Sequence, residues 1–273
     1  MISLKMLGRV ASGFILVLIL QLTVIAQDKP VYALVTYIKA DRGKGGDYLD
    51  LIKNYGSKMF QERVNNGEIL SWALYSVNMS TNAEDGYNFV GVSMSNTVSG
   101  FMEPKTSPQE FMKKLMPGAS DKAIQETLDK YGQVRVIEST LITQMLDGLP
   151  NDGSAKYYEI NYMKVPDGKD AEYIALEKDV YKPVHKERIT KGEITTWSLW
   201  GTPYPYSDAR PFNYVTANGF SNWDKMMNSN YTEAYKKVFP KGDMAKVGAQ
   251  TGAARKMVKT EIWKLENITA PAK

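Results

Sequence analysis

The sequence has no cysteine and a single histidine, and these two shortages exclude more chemistry than any motif supplies. Without thiols there is no disulfide, no thiolate nucleophile, no zinc–sulfur site and no attachment point for a lipoprotein-type lipid. With His185 alone, a histidine-built metal site lacks its second ligand, and no metal is expected. Charge of one sign is also scarce, with 34 Lys and Arg against 30 Asp and Glu and no dense basic run. Phosphate binding needs clustered Lys and Arg, so nucleic acid is not an expected partner. No phosphate-cradling glycine loop, HExxH pair or Ser/His/Asp arrangement is present, and no cofactor is expected.

The one long apolar run lies at the N-terminus. Lys5 and Arg9 precede apolar residues 14–26, which close on Val24, Ile25 and Ala26. This is the pattern of a secretory leader. The run is short of the roughly 20 residues a membrane span needs, and Gln21 interrupts it. Residues 1–26 are therefore expected to be a signal peptide removed before Gln27, the alternative being a retained anchor. The protein would be periplasmic or extracellular, with no membrane attachment after removal. An apolar share of 43% over 273 residues suits a packed core.

What the chain does contain is a repeat. Residues 62–75 read ERVNNGEILSWALY and residues 187–200 read ERITKGEITTWSLW. The match extends without a gap from Tyr32/Tyr157 to Val90/Val215 at a constant offset of 125, through Tyr37/Tyr162, Lys39/Lys164, Tyr48/Tyr173, Leu51/Leu176 and Trp72/Trp197. Each copy opens with a strand of period-2 character, at 31–39 and 156–164. A helix follows: Tyr48, Leu51, Ile52, Tyr55 and Met59 recur at helical spacing, as do Tyr173, Leu176, Val180 and Val184. Gly67 and Gly192 suit the left-handed position past a helix end. Strands at 69–77 and 194–201, then 87–94 and 212–219, come next. Helical material at 108–116 and 120–131 in the first copy, and at 222–238 and 243–252 in the second, precedes a final strand at 133–145 and 254–265. Residues 148–153 are turn-rich and read as a linker, giving copies at 27–147 and 154–273.

The order β-α-β-β-α-β, twice, makes this an α+β protein of two ferredoxin-like (βαββαβ) repeats. It resembles the dimeric α+β barrel superfamily, and is similar to the single-chain tandem form found in exported bacterial proteins of no assigned function. The resemblance covers nearly all of the mature chain. It implies that the repeats pack sheet to sheet as a pseudo-dimeric α+β barrel, either as a monomer or as a homo-oligomer of such chains. Members include cofactor-free monooxygenases, haem-degrading enzymes and haem-dependent dismutases. The haem degraders carry a His on the helix after strand three. The corresponding segment here, 222–238, has Trp223 and Tyr235 but no His, so the resemblance does not extend to haem.

Candidate site residues come from places where the copies disagree. Glu159 and Asn161 stand opposite Leu34 and Thr36, and His185 opposite Phe60. If Tyr158, Ile160 and Tyr162 meet the helices, Glu159 and Asn161 point into the interior between the sheets. Thr196 and Ser198 would line the same interior, opposite in face to Trp197. His185 and Glu159 are the candidate catalytic groups, as proton acceptors. Asn161, Trp197, Thr196, Ser198 and Tyr214 are candidate ligand contacts. Each has a plainer reading: His185 beside Lys186, Glu187 and Arg188 suits a solvated helix flank, and Trp72 and Trp197 suit a core. The loop with Tyr204 and Tyr206 caps a pocket or is only a rigid connection.

Three functions follow. The first is an exported protein binding a small molecule mainly through the second repeat. The second is a cofactor-independent monooxygenase-like or isomerase-like enzyme. The third is a structural or interaction module whose sheets seal against each other.

Overall fold

The computed structural model describes residues 29–82, 86–207 and 209–271. The expected leader at 1–26 lies outside the described residues. In the first half, β1 (Tyr32–Ala40) leads to α1 (Gly45–Leu51), a π-helical turn (Ile52–Gly56) and α2 (Ser57–Asn65). Then come β2 (Ser71–Ser80), β3 (Phe89–Ser95), α3 (Ser99–Met102), α4 (Pro108–Leu115), α5 (Asp121–Val134) and β4 (Arg135–Gly148). The second half has β5 (Tyr157–Lys164), α6 (Asp170–Leu176), a second π-helical turn (Glu177–Tyr181) and α7 (Lys182–Thr190). It continues through β6 (Thr196–Tyr204), β7 (Tyr214–Phe220), α8 (Trp223–Met227), α9 (Tyr231–Val238), α10 (Met244–Ala254) and β8 (Lys256–Thr269). The helical stretch expected over 222–238 is thus two helices. The break falls at Asn228–Asn230, where the Asn230 side chain caps the second by accepting from Glu233 N.

The repeated Arg-Gly-Glu stretch is a helix-ending device. Gly67 and Gly192 take φ of 68° and 67°, the left-handed region. Gly67 N donates to Val64 O and Glu68 N to Arg63 O. Gly192 N donates to Ile189 O and Glu193 N to Arg188 O. This double closure satisfies the last helix carbonyls and turns the chain into the following strand.

The eight strands close into one antiparallel barrel in the order β1-β3-β2-β8-β5-β7-β6-β4. The halves join at both edges, because β8 pairs with β2 as well as β5, and β4 with β6 as well as β1. Two sheets simply stacked would leave four edges unpaired, whereas closure leaves none along the paired lengths. The barrel interior is packed with Val31, Val35, Tyr37, Tyr75, Val92, Ile160, Tyr162, Trp200 and Trp263. Between barrel and helices lies a separate core in each half, around Trp72 in the first and Trp197 in the second.

This overturns the expected facing of β5. Ile160 and Tyr162 point into the barrel, and Glu159 and Asn161 point outward under the helices. In β1 both faces are apolar, with Val35 inside and Leu34 and Ile38 outside, so alternation identifies two faces without saying which is inner. Thr196 and Ser198 lie on the inner face of β6 with Trp200, whose Nε1 donates to Ser198 Oγ at 2.8 Å.

Candidate functional site

A cavity of about 290 Å³ lies in the second half, between the outer face of the barrel and the helices that cover it. Strand β5 contributes Glu159, Asn161 and Met163, and β7 contributes Thr216, Asn218 and Phe220. The second π turn and α7 supply Glu177, Tyr181, His185 and Arg188. Glu177, Tyr181 and His185 are spaced i, i+4, i+8 and share one face. Trp197, Tyr231 and Arg255 complete the wall, and Met257, 45% exposed, stands at its outer side.

The cavity brings together four of the residues singled out from sequence: Glu159, Asn161, His185 and Trp197. Thr196, Ser198 and Tyr214 are not among its lining. Thr196 Oγ1 donates to Leu149 O, and Tyr214 OH donates to Asp170 at 2.6 Å in the core beside Tyr173. Tyr204 and Tyr206 are exposed and also do not line it. His185 is not on a solvated flank. It is 7% exposed, stacked on Trp197 at 5.6 Å and 16° and set edge-on to Tyr231. Of its charged neighbours in sequence, Lys186 is exposed and Glu187 pairs with Lys237, whereas Arg188 is buried on the same face as the ring.

The polar groups are densely linked. Glu159 Oε2 accepts from Asn218 Nδ2 at 2.9 Å and from Asn161 Nδ2 at 3.4 Å, and Thr260 Oγ1 donates to Asn161 Oδ1 at 2.8 Å. Arg188 donates from Nη1 to His185 Nδ1 at 3.0 Å and from Nη2 to Ser229 Oγ, and its Nε lies 3.5 Å from Glu193 Oε2. Asn218 Oδ1, Tyr231 OH and Arg255 Nε are buried with no hydrogen-bond partner. Such atoms are costly unless something else satisfies them.

Two groups have strongly displaced acidity. Burial raises the Glu177 carboxyl from 4.5 to about 7, while neighbouring Tyr173 and Arg255 act the other way. Burial, aided by the adjacent Arg188 cation, lowers His185 from 6.5 to about 3, so the ring is neutral throughout the physiological range. Tyr231 is raised, chiefly by burial.

The first half shows what this place holds when it is only core. Leu34 stands where Glu159 is, Ile52 where Glu177 is and Phe60 where His185 is. These three pack together with Trp72, and Phe60 stacks on Trp72 at 4.3 Å and 5°, the same ring pair with carbon in place of imidazole nitrogen. Reading the sequence for divergence found His185 and Glu159 but missed Glu177 and Asn218. Both carry that same signal, opposite Ile52 and Ser93. Arg188 was missed because it is identical in both copies, with Arg63 at the matching position. Tyr231 and Ser229 belong to a stretch where the copies no longer align.

Among the described residues there is no group of three or more His, Asp or Glu placed to hold a metal, and no helix is long and apolar enough to cross a membrane. A haem group does not fit this site. His185 Nδ1 is engaged by Arg188, and the space is smaller than a porphyrin.

No protein-family model matches the chain, and no curated protein matches it. Solved structures do. A protein provisionally named a monooxygenase, from Fusobacterium nucleatum subsp. nucleatum, is 12% identical with a TM-score of 0.55, over 89% of this chain and 95% of that one. An anthrone oxidase-like protein is 11% identical with a TM-score of 0.51, over 91% and 96%. A protein provisionally named a chlorite dismutase reaches a TM-score of 0.46, at 10% identity over 87% and 95%. At these identities the likeness is one of fold: the chain has the mixed α/β architecture of the dimeric α+β barrels, with eight antiparallel strands in a closed barrel.

Proposed function

We propose that this chain is an exported pairing of two ferredoxin-like units, 27–147 and 154–273, whose second unit binds a small molecule in the cavity around Glu177 and His185. The single observation that carries this reading is the replacement of a packed Leu34, Ile52 and Phe60 by Glu159, Glu177 and His185 at equivalent positions around an open space. Burying a carboxyl and an imidazole where aliphatic and aromatic groups serve in the other copy gives up stability. A ligand that satisfies the unpartnered Asn218, Tyr231 and Arg255 atoms accounts for the exchange. The first unit then acts as scaffold, supplying β2 and β4 to close the barrel.

The test is a thermal-shift screen of a metabolite library against the wild-type chain and the variant Glu159→Leu/Glu177→Ile/His185→Phe, which restores the first half's residues. The expected result is at least one compound that stabilises the wild type and leaves the folded variant unmoved. No stabilising compound, or equal stabilisation of both proteins, defeats the reading.

A second reading is favoured by Glu177 alone. A buried carboxyl titrating near 7 at a cavity wall is suited to take a proton from a bound molecule. The names of the structural neighbours, a monooxygenase and an anthrone oxidase-like protein, are in keeping with an enzyme. Here Glu177 is the base and His185 is not. Exchange of solvent deuterium into an acidic C–H of a stabilising compound, fast with wild type and absent with Glu177→Gln, is the expected sign. Equal exchange in both removes Glu177 from that role.

A further inference from the structure

The arginine that the two copies share is used differently in each. In the first half, Arg63 Nε donates to Glu68 Oε2 at 3.2 Å, and Nη2 donates to Gly100 O at 2.6 Å, tying the helix end to the loop after β3. In the second half, Arg188 Nε and Glu193 Oε2 form a looser ion pair at 3.5 Å, with no hydrogen bond between them. Its Nη1 reaches His185 Nδ1 instead, at 3.0 Å. The guanidinium is held there by Ser229 Oγ and lies 5.8 Å from the Tyr231 ring centre.

A guanidinium has five N–H donors and no acceptor. Its contact with Nδ1 therefore requires a lone pair on that atom, and the neutral ring must carry its proton on Nε2. Stacking on Trp197 fixes the plane of the ring. Among the described residues no other hydrogen-bonding group pairs with His185, so Nε2 of this cavity-lining residue has no protein partner.

We infer that Arg188 is a positioning residue that locks His185 as an Nε2–H hydrogen-bond donor, so that the cavity recognises a carbonyl, hydroxyl or oxyanion oxygen at that point and rejects an ammonium group. This rests on the reading of the cavity as a ligand site. It also divides the labour there: His185 donates to the ligand, Glu159 and Asn218 Oδ1 accept, and Glu177 is left as the group able to exchange a proton.

The chain has one histidine, so long-range ¹H–¹⁵N spectra of the uniformly labelled protein report His185 without ambiguity. The expected wild-type result is a protonated Nε2 and a bare Nδ1, unchanged between about pH 5 and 8. Arg188→Met removes every donor and is expected to give mixed tautomers and a ring that titrates, with Arg188→Lys restoring part of the wild-type pattern. A wild-type ring protonated on Nδ1 overturns the inference whether or not the variants fold, and so does a folded Arg188→Met protein with an unchanged tautomer. For recognition, acetophenone and benzylammonium are titrated at millimolar concentration. The Nε2 resonance is expected to move with the first and not the second, and the reverse, or no movement with acetophenone, overturns the claim. A wild-type spectrum as expected, combined with a metabolite screen that finds nothing, would instead refute the ligand-site reading and leave the tautomer lock standing.

Discussion

Replacing Glu177 by Gln should make the protein more stable at pH 8 and leave it nearly unchanged at pH 4. Glu177 is 3% exposed, and its carboxyl is raised from 4.5 to about 7 by burial, with Tyr173 and Arg255 facing it and Tyr231 close by. Because the folded protein holds this proton more tightly than the unfolded chain, the stabilisation is fully present below about pH 4.5. It is lost as pH rises to about 7. A displacement of this size corresponds to about 3 kcal/mol, at about 1.4 kcal/mol per unit.

His185 works in the opposite sense. Its folded value is about 3 against 6.5, so its contribution is fully present above pH 6.5 and is lost as pH falls toward 3, about 5 kcal/mol in all. Arg188, Glu159 and Tyr231 are the charged and titratable groups around it. Between roughly pH 4.5 and 6.5 the two slopes cancel, so the wild type hides both. Glu177→Gln exposes the histidine slope, and His185→Phe exposes the glutamate slope. The assay is urea unfolding followed by tryptophan fluorescence, for wild type and both variants, from pH 4 to 8. For Glu177→Gln the stability difference from wild type should grow by about 3 kcal/mol between pH 4.5 and 8, about 10 °C in Tm for a chain of this size. A difference that stays constant across that range refutes the placement of a buried, near-neutral-titrating carboxyl in the cavity.

Three further outcomes are expected. Glu261, fully buried inside the barrel, accepts from Tyr87, Tyr162 and Trp263 and pairs with Lys259 at 3.1 Å. Glu261→Ala leaves those donors without their acceptor and should cost about 3–5 kcal/mol by urea unfolding, with a cost under 1 kcal/mol contradicting the network's role. Gly67→Ala and Gly192→Ala, at positive φ, should each destabilise by about 1–2 kcal/mol, whereas Gly248→Ala, in α10 with open space around it, should be neutral or stabilising. Glu159→Leu/Glu177→Ile/His185→Phe should lose the pH dependence assigned above to Glu177 and His185 while keeping the far-UV spectrum of the wild type.

The repeat makes much of this legible in the sequence. A constant offset of 125 aligned the first three strands and the helix between the first two in each half, located Gly67 and Gly192 past their helices, and showed that the copies differ at Glu159 and His185. Those inferences depend on local rules, such as helical spacing, strand alternation and the left-handed tolerance of glycine, and local rules act within a few residues of sequence.

What the sequence could not decide was side and partner. Alternation places Glu159 and Ile160 on opposite faces of β5, but with apolar residues on both faces of the equivalent β1 nothing local says which face is inside. That is settled by barrel closure, through the β2–β8 and β4–β6 seams. The same long-range packing brings Arg255, between α10 and β8, to Glu177, sets Tyr231 against Arg188, and turns a residue identical in both copies into a partner for the one histidine. The sequence by itself determined the two-fold plan and the half that departs from it. Only the tertiary structure decided that the departures meet around one cavity, because burial and neighbours, not residue types, set what Glu177, His185 and Arg188 can do.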